Sequence, residues 1–259
     1  MSDPSSAPRI AIVTGASSGI GAATAQELAK LGWRVGLGAR REDRLQDLAR
    51  RIDPAGDRAF AHALDVTDPS SIERFYAALE RALGPADALV SNAGMSTLNL
   101  LQHTKVEDVQ NEIAVNLVGP ILMARRALPA MLERRRGDLV FVSSENSIRP
   151  RPYQTSYSGA KAGLENAARA LAMELEGTGV RSTVVRVGPT LTEFGARFEP
   201  GQLQTALASW KYWGVQRHLR WMKPESVARA IAQVLAPPGA EAHVDLVEIM
   251  PLARERAPT

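Results

Sequence analysis

Residues 9–21 read RIAIVTGASSGIG. The first six are a short run of mostly branched apolar side chains, the pattern of a strand buried on both faces. The next seven hold three glycines, and a helical pattern takes over at residues 22–31. A glycine-rich turn between a strand and a helix is the setting of a dinucleotide-binding loop. Gly15 allows a tight reversal there, while Gly19 and Gly21 let backbone and helix come close to a pyrophosphate. Ser17, Ser18 and Ile20 complete the turn, and the free N–H groups of the following helix attract phosphate.

Outward from that turn the chain alternates. Strands are expected at residues 33–39, 59–64, 86–90, 138–142, 180–187 and 244–249. Helices are expected at 41–52, 106–116, 118–136, 156–177 and 224–235. Another begins after Asp68-Pro69, a capping acid followed by a proline suited to the first helical position. Such alternation implies right-handed crossovers and an α/β fold: a Rossmann-type doubly wound parallel β-sheet of about seven strands, with helices on both faces. Residues 9–250 read as a single dinucleotide-binding catalytic domain, with tails over 1–8 and 251–259. Residues 193–222 break the rhythm and carry Phe198, Trp210, Tyr212, Trp213, Trp221 and Met222. They read either as a lid over a substrate pocket or as helices packed on the core or on another subunit.

Composition narrows the chemistry. The chain has 259 residues, 45% of them apolar, and no cysteine, which excludes a disulfide framework, a zinc-thiolate site and a thiol nucleophile. Four scattered histidines suggest no metal site. The formal charge is +3, with five lysines and 26 arginines interleaved with acids, so no nucleic-acid partner is expected. Arg134, Arg135 and Arg136 are expected to form a solvated helix end. No apolar run approaches the ~20 residues of a membrane span. The start, MSDPSSAP, has no signal-peptide pattern, and a cytoplasmic protein is the expectation.

Further candidates lie at the carboxyl ends of the strands, where open α/β sheets bind ligands. The second strand ends Gly38-Ala39-Arg40-Arg41, with Ala39 at the position where an NAD site usually carries an acid. Arg40 and Arg41 suit a 2′-phosphate instead, which favours NADP (NADPH) over NAD. Asp65 and Val66 close the third strand, where a short acid can meet the adenine amine. Asn92, Ala93 and Gly94 close the fourth and leave room for a ribose.

Residues 156–177 form a long amphipathic helix in which Tyr157 and Lys161 are four apart and share a face. A free phenol titrates near pH ~10, and a neighbouring cation favours the phenolate. Bringing it to neutrality takes about 4 kcal/mol, which one lysine supplies only when shielded from water.

In these motifs the sequence resembles the short-chain dehydrogenase/reductase family, NADP-preferring type, over about residues 9–192 and more loosely beyond. The family turn TGxxxGxG is present as Thr14, Gly15, Gly19 and Gly21. The NNAG motif is here SNAG, with Ser91 for the first asparagine. The family's Asn, Ser, Tyr and Lys fall on Asn116, Ser144, Tyr157 and Lys161. The late PG-x-x-x-T segment keeps Gly188 and Thr192, with the proline displaced by one to Pro189. The resemblance implies a hydride transfer between nicotinamide and an alcohol, ketone or aldehyde. Tyr157 is then the general acid/base, Lys161 lowers its pKa and holds the ribose, and Ser144 orients the substrate oxygen. Asn116 holds a water linking Lys161 to solvent, and Gly188, Thr190 and Thr192 meet the carboxamide. It also implies a homodimer or homotetramer. Two other readings share the fold: an NADP(H)-binding regulator without chemistry, and an epimerase or dehydratase. Arg149 and Arg151, after Ser144, are either grips for an acidic substrate or ordinary loop arginines.

Overall fold

The computed structural model describes residues 8–195, 198–216, 220–235 and 241–253. The tails expected over 1–8 and 251–259 fall outside these except for residues 8 and 251–253. Residues 196–197 and 217–219 of the expected lid region fall outside them too.

Seven parallel strands form one sheet: β1 (Ile10–Thr14), β2 (Arg34–Ala39), β3 (Ala59–Ala63), β4 (Ala88–Ser91), β5 (Gly137–Ser144), β6 (Val180–Val187) and β7 (Leu246–Ile249). Their order is β3-β2-β1-β4-β5-β6-β7. The order reverses between β1 and β4, where the chain leaves the sheet in opposite directions and opens a crevice at the carboxyl ends. Successive side chains of a strand face opposite sides, so each strand feeds two cores. Ala11 and Val13 of β1 join Val35, Leu37 and Val142 on one face; Ile10 and Ile12 join Leu89, Leu139 and Phe141 on the other.

The first face is covered by α1 (Gly19–Lys30), α2 (Glu42–Ile52) and α8 (Pro224–Val234). The second is covered by α3 (Pro69–Ala82), α5 (Gly119–Glu133) and α6 (Thr155–Glu174). Asp68 caps α3 as expected, its carboxylate accepting from the Ser70 N–H at 2.9 Å. The two helices expected at 106–116 and 118–136 are one rod: α4 (Val106–Ile113), a π turn (Ala114–Val118) and α5. Pro120 has no N–H to give the residue-116 carbonyl, so a regular ladder is interrupted there and the π turn takes up the change. By length and composition the 28-residue rod is apolar enough to cross a membrane. Its Met123, Ala124, Ala127 and Met131 are buried on the sheet.

Of the arginines at 134–136 only Arg135 is exposed as expected, while Arg134 and Arg136 are tied to the sheet. Arg134 and Arg136 pair with buried Asp87 at 3.3 and 2.6 Å, and Arg134 also donates to the Ala86 carbonyl. Arg135 takes a φ of 49°, which turns α5 into β5 at the amino edge of the sheet and folds the two guanidiniums onto that edge. Asp87 further accepts the Ile10 N–H at 2.9 Å, tying the start of β1 to the start of β4.

Within the expected lid region, α7 (Pro200–Tyr212) packs through Ala206 and Trp210 on Leu98. The Trp210 indole N–H donates to the Pro152 carbonyl at 2.8 Å. Tyr212 and Trp213 point outward, 82% and 66% exposed.

Candidate active site

The glycine turn is built for close approach. Gly15 has φ +67°, and a Cβ on it would lie 2.9 Å from the Ala93 Cα. A Cβ on Gly21 would lie 2.4 Å from the Gly15 carbonyl oxygen. The turn is stitched to the end of β4 by Thr14, whose hydroxyl accepts the N–H groups of Asn92 and Ala93 at 2.9 and 3.0 Å. The Asn92 amide returns a bond to the Thr14 carbonyl at 2.9 Å. Helix α1 starts at Gly19, three residues before the sequence suggests, and its N-cap Ser18 makes no side-chain capping bond. Its first N–H groups therefore keep their affinity for an anion. Ile20 packs from the turn onto the core.

Beside the turn stands a cationic corner. Arg41 donates to the hydroxyls of Ser17 (2.9 Å) and Ser18 (2.8 Å) and pairs with Glu193 at 2.8 Å. Arg44, one helical turn on, holds the other Glu193 oxygen at 2.6 Å. Hydrogen bonds from the two guanidiniums keep Glu193 down at about 2. Arg40 is exposed and does not join them. Burial opposes ionisation of Asp65, but hydrogen bonds from the Thr67 hydroxyl and N–H outweigh it and hold the carboxyl below its ordinary value, with help from the Arg40 charge. Val66 is buried under the start of α5, where a Cβ on Gly119 would collide with it.

The four catalytic candidates converge at the carboxyl end of β5. Ser144 ends the strand, where its hydroxyl accepts the Asn146 N–H at 3.2 Å and lowers the Tyr157 phenol pKa. The Lys161 ammonium lies 5.9 Å from the centre of the Tyr157 ring and donates to the Val142 carbonyl at 2.9 Å. Asn116, fully buried in the π turn, donates to the carbonyls of Met95 (2.7 Å) and Glu112 (2.8 Å) and accepts from the Met95 N–H. Both amide hydrogens are thus spent on backbone, so the Asn116 side chain fixes the loop after Gly94 and offers no free N–H to a water relay.

In the protein by itself the phenol stands above its ordinary value, with burial as the chief cause. Burial pushes Tyr157 up to about 12, against the Ser144 hydrogen bond and the Arg151 charge that lower it; Glu112 and Glu145 add to the rise. Burial likewise brings Lys161 down to about 8, partly offset by Glu165. Desolvation penalises the charged form of each partner and is the largest cause of both shifts.

The late segment divides. Thr192 packs against Gly19, where a Cβ would lie 3.1 Å from its methyl, and so borders the glycine turn. Thr190 bonds back to the Gly188 carbonyl at 3.0 Å and pairs with Met222. Gly188 faces Met250 and Pro251, away from the turn.

A family model described as short chain dehydrogenase matches residues 9–202. The chain belongs to the short-chain dehydrogenase family. It is 34% identical over 242 residues to glycine betaine reductase ATRR of Emericella nidulans, covering 93% of this chain and 18% of that protein. It is 38% identical over 190 residues to a short chain dehydrogenase of Pseudocercospora fijiensis, covering 73% and 62%. The chain thus spans less than two thirds of the length of either relative. Among solved structures it is similar to the closed form of a serine dehydrogenase complexed with NADP+, with TM-score 0.83 and 29% identity over 96% of this chain and 98% of that one.

In this chain a cleft of about 280 Å³ runs past Thr97, Asn99, Phe194, Phe198 and Gln202. Its Phe194 ring lies 5.6 Å from that of Tyr157, which joins cleft and phenol. Neither loop arginine is poised for a substrate: Arg149 pairs with Glu248 at 2.7 Å, and Arg151 is held by buried Glu145 and Gln216 and stacks on Trp210. Several participants carry no sequence signal. Buried Glu112 accepts from Thr97 and from the Ser156 hydroxyl, tying the cleft to the residue before Tyr157. Glu165, one turn below Lys161, takes Ser143, Ser147 and Arg186 together. Arg44 is the exception, since its spacing of three from Arg41 on a helix places both on one face.

Proposed function

We propose that this dehydrogenase is an NADP(H)-dependent oxidoreductase that moves a hydride between nicotinamide and an alcohol or carbonyl substrate, with Tyr157 as the general acid/base. The observation that carries the reading is the meeting of Ser144, Tyr157 and Lys161 beside a glycine turn flanked by two arginines. The residues present fit the cofactor. The turn and the uncapped start of α1 suit a pyrophosphate, Asp65 suits the adenine, and Arg41 with Ser17, Ser18 and Arg44 suits a 2′-phosphate. The NADP+ bound to the similar serine dehydrogenase supports the same choice.

Bound NADPH supplies the hydride. The chain supplies the rest. Ser144 donates a hydrogen bond that orients the substrate oxygen. Tyr157, protonated at neutral pH, gives that oxygen its proton. The Lys161 ammonium stabilises the phenolate so formed and would hold the ribose, while Phe194 and Phe198 line the cleft beside Tyr157. A protonated phenol favours carbonyl reduction as the direction of ready turnover. Assembly as a homodimer or homotetramer through α5 and α6 belongs to the same reading, supported by the exposed Val118, Ile121 and Met173.

The test is a panel of ketones and aldehydes with NADPH and NADH. Turnover is expected with NADPH, lost in Tyr157→Phe by a factor of about 10²–10⁴ while NADPH still binds. Tight NADPH binding without turnover on any carbonyl would overturn the catalytic reading in favour of a regulator.

A further inference from the structure

The cationic corner beside the glycine turn already holds an anion, and it belongs to the protein. Each Glu193 oxygen sits on its own guanidinium, 2.8 Å from Arg41 and 2.6 Å from Arg44. The same Arg41 is fastened to Ser17 and Ser18 in the turn. Glu193 follows Thr192, which lies on Gly19, so its backbone is held at the rim of the turn. Residues 149 and 152 positions away in sequence therefore meet at the mouth of the crevice. The corner holds no further acid from β2, because Ala39 closes that strand.

We infer that Glu193 is a resident counter-anion of the 2′-phosphate site, a specificity-determining residue that a phosphorylated cofactor must displace from Arg41 and Arg44. The inference rests on the NADP(H) reading above. A carboxylate gathers the two guanidiniums into one place, which a lone pair of like charges would resist. A 2′-phosphate, with more charge and more acceptor oxygens, takes the same donors. A cofactor with a free 2′-hydroxyl has nothing to exchange for Glu193 and leaves the bridge intact. Glu193 thus sets how strongly the site distinguishes the two cofactors, by taxing only the phosphorylated one.

The experiment is equilibrium binding of NADPH, NADH, adenosine 2′,5′-bisphosphate and AMP to the wild type, Glu193→Gln and Arg41→Ala, followed by calorimetry. Glu193 is 45% exposed, so the glutamine variant keeps the fold. In Glu193→Gln, NADPH and the bisphosphate are expected to bind about five-fold tighter, the effect of releasing two part-exposed ion pairs. NADH and AMP are expected not to tighten. Arg41→Ala is expected to weaken NADPH and the bisphosphate, the two 2′-phosphorylated ligands, alone. A Glu193→Gln variant that binds the bisphosphate no better, or that tightens AMP equally, overturns the counter-anion. Equal wild-type affinity for bisphosphate and AMP overturns instead the NADP(H) reading beneath it, so the two failures are distinct.

Discussion

Replacing Lys161 by methionine should abolish turnover and stabilise the protein. Burial brings the ammonium from 10.5 to about 8. At about 1.4 kcal/mol per tenfold, the charged lysine therefore costs about 3 kcal/mol at pH 7. Methionine fills much the same space, but the Val142 carbonyl loses its 2.9 Å donor. A buried acceptor left bare costs about 1–2 kcal/mol, so the net gain at pH 7 is about 1–2 kcal/mol. The sign with pH follows from linkage. The folded pKa lies below the unfolded one, so between about 8 and 10.5 the unfolded chain binds more protons than the native state. Wild-type stability from this group then rises with pH, by about 2.5 kcal/mol from pH 7 to pH 10. The methionine variant has no such gain, and by pH 10 the two proteins should be about equally stable. Urea unfolding at pH 7, 8, 9 and 10, with equal m-values as the check on two-state behaviour, reads the difference directly. A variant less stable than wild type at pH 7, or a gap that does not close as pH rises, would falsify the claim that Lys161 is held charged at an energetic cost.

The other predictions come from the same geometry. In carbonyl reduction, kcat/KM for NADPH should be level below pH 8 and fall about tenfold per pH unit above it, as Lys161 loses its charge while Tyr157, up at about 12, keeps its proton. A limb near 10 or above would assign the loss to the phenol instead. Gly21→Ala puts a Cβ 2.4 Å from the Gly15 carbonyl oxygen and 2.6 Å from the Asn92 amide nitrogen. Calorimetric NADPH affinity should drop at least about tenfold, and stability by about 1–3 kcal/mol; wild-type affinity in that variant would show the turn to be slack. Asp87→Ala frees the Ile10 N–H and two guanidiniums at the far edge of the sheet. Because Arg134 and Arg136 can turn to water, the loss in urea unfolding should be about 2–3 kcal/mol, below that of a fully buried pair, with turnover per folded molecule unchanged.

The architecture was legible because each strand is a compact apolar run and each crossover has its own helical period. All seven strands lie where the pattern puts them, within two residues at either end. The departures have local causes. Gly19 and Gly21 lower the helical signal at the start of α1, yet their missing side chains are what let that helix begin against Thr192 and Asn92 respectively. Pro120 reads as a break, and the chain answers with a π turn inside one rod. The arginines after α5 look solvated until Asp87 is brought beneath them by the neighbouring strand. Within the site, Ser17, Ser18, Arg41, Ser144, Tyr157 and Lys161 were legible from motif and spacing. Glu112, Glu165 and Glu193 were not, since each is defined by partners that only the fold brings near.

The pairing of Tyr157 with Lys161 shows what spacing leaves out. Four residues on a helix place phenol and ammonium on one face, and the structure keeps them there. Whether the pair lowers the phenol depends on a competition that spacing does not contain: attraction between the charges against loss of water by both. Tyr157 is 9% and Lys161 4% exposed, and at that depth the loss of water wins. The Ser144 hydrogen bond and the Arg151 charge pull the phenol back toward ionisation, and the two carboxylates, Glu112 and Glu145, each oppose them by less. The resting site therefore stores a proton on Tyr157 and a cation that is ready to be discharged on Lys161. Under the proposed function, such a site gives a proton to an oxygen that gains negative charge.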